Sequence, residues 1–153
     1  MGPDRAGVLR AEETILFNML ALLPEDAPDV SIDTLADKVQ ARFGGDAAFR
    51  LEYEVLPFNT ERNLMLRWQG WSARLIRETA EDDEQVADDS AEIARILGAA
   101  APAGIADCTR RIRAVFHDDP DEQYIDEMVE IMALLEGLEG AVVFDPQQNK
   151  LMD

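Results

Sequence analysis

The sequence predicts an α+β fold: a two-layer sandwich in which a mostly antiparallel sheet carries about three helices packed on one face. Three observations lead there. Several segments alternate apolar and polar residues, the pattern of strands with one wet face. Sequential strands are joined by tight turns, which suits antiparallel neighbours. Three other segments place apolar residues at helical spacing. A doubly wound parallel sheet would need strands that are apolar throughout.

Ile15–Leu23 is apolar on both faces and stops at Pro24. It suits a central strand buried on both sides, or a short helix; the strand is favoured because a clear helix follows. That helix is Ser31–Phe43. Ser31 is placed to cap it, Ile32, Leu35, Val39 and Phe43 share one face, and Gly44-Gly45 ends it. In Phe49–Val55, Phe49, Leu51, Tyr53 and Val55 point one way and Arg50, Glu52 and Glu54 the other, as in a half-buried strand. Leu64, Leu66 and Trp68 alternate again, Gln69-Gly70 marks a turn, and Trp71, Ala73 and Leu75 continue on the far side. This is a hairpin, with Arg67, Arg74 and Arg77 assigned to its opposite face.

Glu81–Leu97 is the second helix, with Val86, Ser90, Ile93 and Leu97 as its inner stripe and Gly98 as its end. Cys108–Phe116 is a strand with Cys108, Ile112, Ala114 and Phe116 inward, Arg110 in register near an end, and Arg111 and Arg113 outward. Asp119–Leu138 carries the strongest helix signals. Asp119 is the expected cap, Pro120 the first helical residue and Glu122 the third position after the cap. Tyr124, Met128, Ile131, Leu135 and Leu138 form its stripe. Ala141–Phe144 is a short strand halted by Asp145-Pro146, and an extended piece around Leu151 is expected beside it.

The chain has 153 residues, which fits one domain over 1–153, with residues 1–10 expected to be disordered. A hydrophobic share of 47% argues against wholesale disorder. Cys108 is the only cysteine, so no intrachain disulfide forms and a reducing compartment is the simplest home. Acids Glu12 and Glu13 precede the first apolar run, the wrong flank for a signal peptide. That run is also shorter than the roughly 20 residues of a spanning helix. A cytoplasmic, soluble protein is expected. Gly98–Gly104 reads as a loop within the domain.

The net charge is −18, which argues against nucleic acid and anionic membranes as partners. The excess is concentrated. Eight acids lie between Glu78 and Glu92 and ten between Ala114 and Asn149, with no Lys or Arg in either stretch. If the two helices pack side by side, one outer face is strongly negative. Solubility and the preference of acids for a first helical turn account for part of this. The functional reading is a docking surface for a basic partner, or a mimic of nucleic-acid phosphate, formed by Asp82, Asp83, Glu84, Asp88, Asp89 and Glu92 with Asp118, Asp121, Glu122 and Asp126. The arginines gather on strands, where salt bridges to Glu52 and Glu54 are the plainest reading. Trp68, Trp71, Arg67 and Arg74 form a local cluster of the residue types that anchor interfaces, against the plainer reading of packing.

Catalytic signatures are missing. His117 is the only histidine, which excludes a two-histidine metal site within one chain. Cys108 and His117 fall near opposite ends of one strand and on opposite faces, so a Cys/His dyad is not expected and Cys108 reads as a core residue. Asp118, Asp119 and Asp121 could hold a divalent ion but lack the spacing of a calcium loop. No phosphate-binding glycine loop and no nucleophile elbow occur. No metal or cofactor is expected.

The small acidic chain, with its hairpin Leu64–Leu75 and its tail DPDEQYIDEMVEIMALLEGLEGAVVFDP, resembles the immunity proteins encoded beside bacterial interbacterial toxins, including type VI effectors. The resemblance is one of overall style and implies a non-catalytic cytoplasmic inhibitor that covers the active site of a cognate, basic toxin. The alternatives are an adaptor or chaperone for a secreted effector, working through the open sheet face, and a small enzyme using carboxylates with a divalent ion. The oligomeric state is not legible.

Overall fold

Ile15–Leu23 is a strand, β1, and lies inside the sheet rather than at its edge. The computed structural model describes residues 15–57 and 61–152; the expectation for residues 1–10 lies outside them. After β1 come α1 (Ile32–Phe43), β2 (Arg50–Glu54), β3 (Asn63–Trp68), β4 (Trp71–Thr79) and α2 (Gln85–Leu97). Two 3-10 turns, Gly98–Ala100 and Ile105–Asp107, lead into β5 (Arg110–His117), α3 (Ile125–Glu136), β6 (Val142–Asp145) and β7 (Lys150–Leu151). The strands run in the order β2-β3-β4-β5-β1-β6-β7, and every pairing is antiparallel. The α+β sandwich is the class the alternation predicts.

The larger core lies on one face. Met19, Ala21 and Leu23 of β1 join Leu64, Leu66, Trp71, Ala73, Leu75, Ile112, Ala114 and Phe116 there. Helices α1 and α3 cover them with Leu35, Val39 and Phe43, and with Met128, Ile131 and Leu135. Ser31 caps α1 as expected, accepting a hydrogen bond from the Thr34 amide at 3.1 Å.

Helix α2 is placed differently from the expectation of three helices on one face: it packs on the opposite face. The alternate residues of β1, Leu20 and Leu22, are as buried as their neighbours, and they meet Ile93, Ile105, Cys108 and Phe144 in a second cluster. A strand apolar on both faces needs cover on both, at roughly 1.5–3 kcal/mol for each large side chain taken from water. The two acidic helices therefore flank the sheet from opposite sides, and no single negative face joins them. Cys108 belongs to this second cluster, not to the inward row with Ile112, because it ends the turn Ile105–Asp107 before β5 begins.

Two helix starts also differ. The Asp119–Leu138 helix begins only at Ile125. Asp119 to Glu122 forms a turn instead: the Glu122 amide donates to the Asp119 carbonyl at 2.9 Å, and Glu122 has φ +55°. Proline after aspartate suits the second position of such a turn as well as a first helical turn. The Asp119 carboxylate then accepts from the amides of Gln123 and Tyr124 at 3.0 and 2.8 Å. Likewise α2 starts at Gln85, whose amide is held by the Asp83 carboxylate at 3.0 Å.

The hairpin forms as expected, with Trp68 opposite Trp71 and Gly70 at φ +83°. Arg77 is corrected. Strand parity places it with Trp71, Ala73 and Leu75, not with Arg74. After α3, Gly140 turns the chain at φ +77° within 2.8 Å of Ala27, measured to the Cβ it lacks.

Candidate functional site

The expected interface residues separate into three groups. The first lies on the sheet face opposite the larger core, across β2, β3, β4 and β5. Here Glu54 binds Arg74 at 2.9 Å, and Glu52 binds Arg67 at 2.7 Å. Arg74 also lies 2.7 Å from Nε2 of His117, whose Nδ1 is 2.6 Å from the Ser72 hydroxyl. Burial raises the Glu54 carboxyl, but hydrogen bonds from Arg74 and Asn63 outweigh it and hold Glu54 below its usual range.

This geometry brings together a serine and a histidine that the sequence reading did not connect. The register that pairs Ala73 with Phe116 is the signal that places them side by side. The pair is not a nucleophile and its base. A guanidinium only donates, so Nε2 must accept from Arg74, and the ring proton sits on Nδ1. Nδ1–H then donates to the Ser72 oxygen, and the lone pair that would take the serine proton is occupied elsewhere.

The tryptophans are not surface anchors. Trp68 is 6% exposed and Trp71 is 2% exposed. Trp68 packs among Phe43, Phe49 and Trp71, and Trp71 stacks on Tyr124 at 5.3 Å. The Trp71 indole donates to the His117 carbonyl at 2.8 Å, and that of Trp68 to Asp46 at 3.1 Å. They are the seam between the sheet and the α1/α3 layer. Only Arg67 and Arg74 of the expected cluster reach the open face, each already paired.

The second group joins α2 to the sheet. Arg111, 1% exposed, binds Glu78 at 2.7 Å and Asp89 at 3.0 Å, and Arg113 binds Glu78 at 3.2 Å. Burial raises the Asp89 carboxyl, but hydrogen bonds from Gln85 and Arg111 and the charges of Arg111 and Arg113 hold it below its usual range. Asp89 is therefore part of the docking of α2. Glu92 pairs with Arg95 on the solvent side of α2, and Asp82 contacts the Thr79 hydroxyl.

The chain matches no protein-family model, no curated protein and no solved structure.

The third group comprises the exposed acids. Asp83, Glu84 and Asp88 lie on α2 and its approach; among the described residues no ion pair engages them. Asp121, Glu122 and Asp126 are likewise exposed, on the other side of the sheet, while Asp118 is half-buried. By contrast every described arginine except Arg50 has a carboxylate oxygen within 3.6 Å.

Near the start of α1, a cleft of about 480 Å³ is lined by Asp29, Asp33, Glu61, Arg62 and Arg77. Its carboxylates are spent on arginines: Arg77 holds Asp29 at 2.8 Å and Glu61 at 2.6 Å, and Arg62 lies 3.3 Å from Asp33. The hydrogen bond from Arg77 lowers Asp29 below its usual range. Among the described residues, no three of His, Cys, Asp and Glu gather in a way that could hold a metal ion, and no helix is long and apolar enough to cross a membrane.

Proposed function

We propose that this protein is a non-catalytic inhibitor of the immunity-protein kind. It would act in the cytoplasm of a bacterium and neutralise a cognate basic toxin, such as a type VI effector, by laying an acidic surface over its active site. One observation carries the reading: every described arginine except Arg50 is already paired with a carboxylate, and none of those pairs engages the exposed acids Asp83, Glu84 and Asp88 of α2 and its approach. Such a surface attracts a cationic protein, raises its association rate and is weakened by salt. The α2 side is the stronger candidate, because Glu81, Asp83, Glu84 and Asp88 sit together on it.

The enzyme alternative is disfavoured by the same accounting. The carboxylates of the charged cleft are tied to guanidinium groups, and His117 has its lone pair committed to Arg74. The adaptor alternative would use the open sheet face, whose Arg67 and Arg74 are already paired with acids.

The test is co-expression with the product of the neighbouring gene. Rescue from toxicity is expected for the wild type and for D121K/E122K/D126K. It is expected to be lost for D83K/E84K/D88K, with the binding constant falling steeply in salt. Rescue unaffected by both reversals would overturn docking through the acidic surfaces. Raised secretion of the product without rescue would favour the adaptor.

A further inference from the structure

β2 is the longer of the sheet's two edge strands, the other being β7. β2 is the terminal strand, so alternate backbone N–H and C=O groups point away from β3. Large apolar side chains are exposed at its end: Tyr53 on the strand at 43%, and Val55 at 72% and Leu56 at 39% just beyond it. Arg50, on the same strand, is exposed and is the described arginine without an ion pair. An exposed sheet edge with apolar side chains is a template for another strand.

We propose that β2 pairs antiparallel with β2 of a second copy of this chain, about a two-fold axis at Glu52. The sequence of the edge is self-complementary in that register. Within the strand, Arg50 faces the partner's Glu54 and Leu51 faces the partner's Tyr53; one residue beyond each end, Phe49, packed on Phe43 and Trp68, comes opposite the partner's Val55, which is exposed. Opposite charges and apolar pairs both fall directly opposite, the arrangement that stabilises a ladder. Glu52 meets its own copy, and Arg67, already 2.7 Å from Glu52 in each chain, offsets that repulsion. Moving the axis to Tyr53 puts Glu52 against the partner's Glu54 and Arg50 against the partner's Leu56, losing both gains. A one-residue slip pairs side chains of opposite faces. The pairing makes a continuous sheet through two molecules and brings Arg50 beside the partner's Glu54, a carboxylate it would share with that chain's Arg74. An isologous contact of this kind closes on itself as a dimer.

The dimer is distinct from the acidic docking surface and responds to salt with the opposite sign. Each copy carries −18, so screening strengthens self-association while it weakens attraction to a basic protein.

Sedimentation of the full chain across concentration tests this. The mass is expected to rise from 17.1 kDa toward twice that value, and at lower concentration in about 1 M than in about 0.1 M salt. V55K should weaken association at least about tenfold with unchanged circular dichroism. For register, E52C should form a disulfide dimer under mild oxidation, because directly opposed Cβ atoms lie about 4.5–5.5 Å apart. R50C should not, its copy being about 14 Å away along the ladder. Cys108 is buried and does not interfere. A chain that remains monomeric up to about 1 mM at both salts overturns the proposal and leaves the edge to a strand of a different protein. Cross-linking of R50C as fast as E52C overturns the register.

Discussion

Asp89 of α2 lies 3.0 Å from the buried guanidinium of Arg111 on β5, and this contact ties an acidic helix to the sheet. Arg111 also holds Glu78 at 2.7 Å, so a single side chain joins β4, β5 and α2. Removing one member of a buried pair costs more than the pair contributes, because the other charge stays desolvated. E78Q is expected to lower unfolding free energy by about 2–4 kcal/mol in urea titrations, since it removes the carboxylate shared by Arg111 and Arg113 and leaves Arg111 with Asp89 alone. R111M, which removes the buried charge itself, should cost less. Equal effects would mean that Arg111 is solvated.

Acid should act on stability in two opposed phases. Glu54, Asp89 and Asp29 all have folded values below their usual ones, 4.5 for Glu and 3.8 for Asp. A depressed carboxyl contributes stability that is complete above its unfolded value and is lost as pH falls through its folded value. Net charge works the other way: from pH 7 toward the isoelectric point near 4.2, self-repulsion falls. The urea midpoint is therefore expected to rise between about pH 7 and 5 and to fall steeply below about pH 4. A monotonic loss from neutrality would show that repulsion among the helix acids contributes nothing.

Trp71 is expected to matter to the fold and not to partner binding. W71F keeps most of the apolar volume but forfeits the indole hydrogen bond to the His117 carbonyl. A loss of about 1–2 kcal/mol is expected by thermal or urea unfolding, with rescue from the toxin unchanged at permissive temperature. Lost rescue with unaltered stability would restore Trp71 as an interface anchor.

Gly140 tests backbone conformation. Its φ of +77° disfavours any side chain, and an added Cβ would lie 2.8 Å from that of Ala27. G140A should destabilise by about 1–3 kcal/mol, read as a lower melting temperature. The same substitution at Gly45, where nothing lies within 4 Å, should be near neutral.

Much of the sheet was legible because strand periodicity and turn chemistry are local. The hairpin at Gln69-Gly70, the strands around it and the stripe Met128–Leu138 each follow from residues close in sequence. The start of α3 was not legible, because Asp-Pro serves a turn and a helix cap equally well. The Ser72–His117–Arg74–Glu54 network was not legible either. It depends on β2, β3, β4 and β5 lying side by side in one register, and polar residues leave no periodic trace of their partners.

The sequence by itself determined the class of fold, the antiparallel pairing and the concentration of acid in two helical stretches, since composition and short-range pattern encode all three. It also held the clue that β1 is apolar on both faces. Only the tertiary structure decided that α2 answers that second face, because helix placement depends on which buried surface needs cover. That decision splits the acids between two sides of the sheet and draws Asp89 inward to Arg111. It also leaves Asp83, Glu84 and Asp88 outward as an uncompensated negative surface.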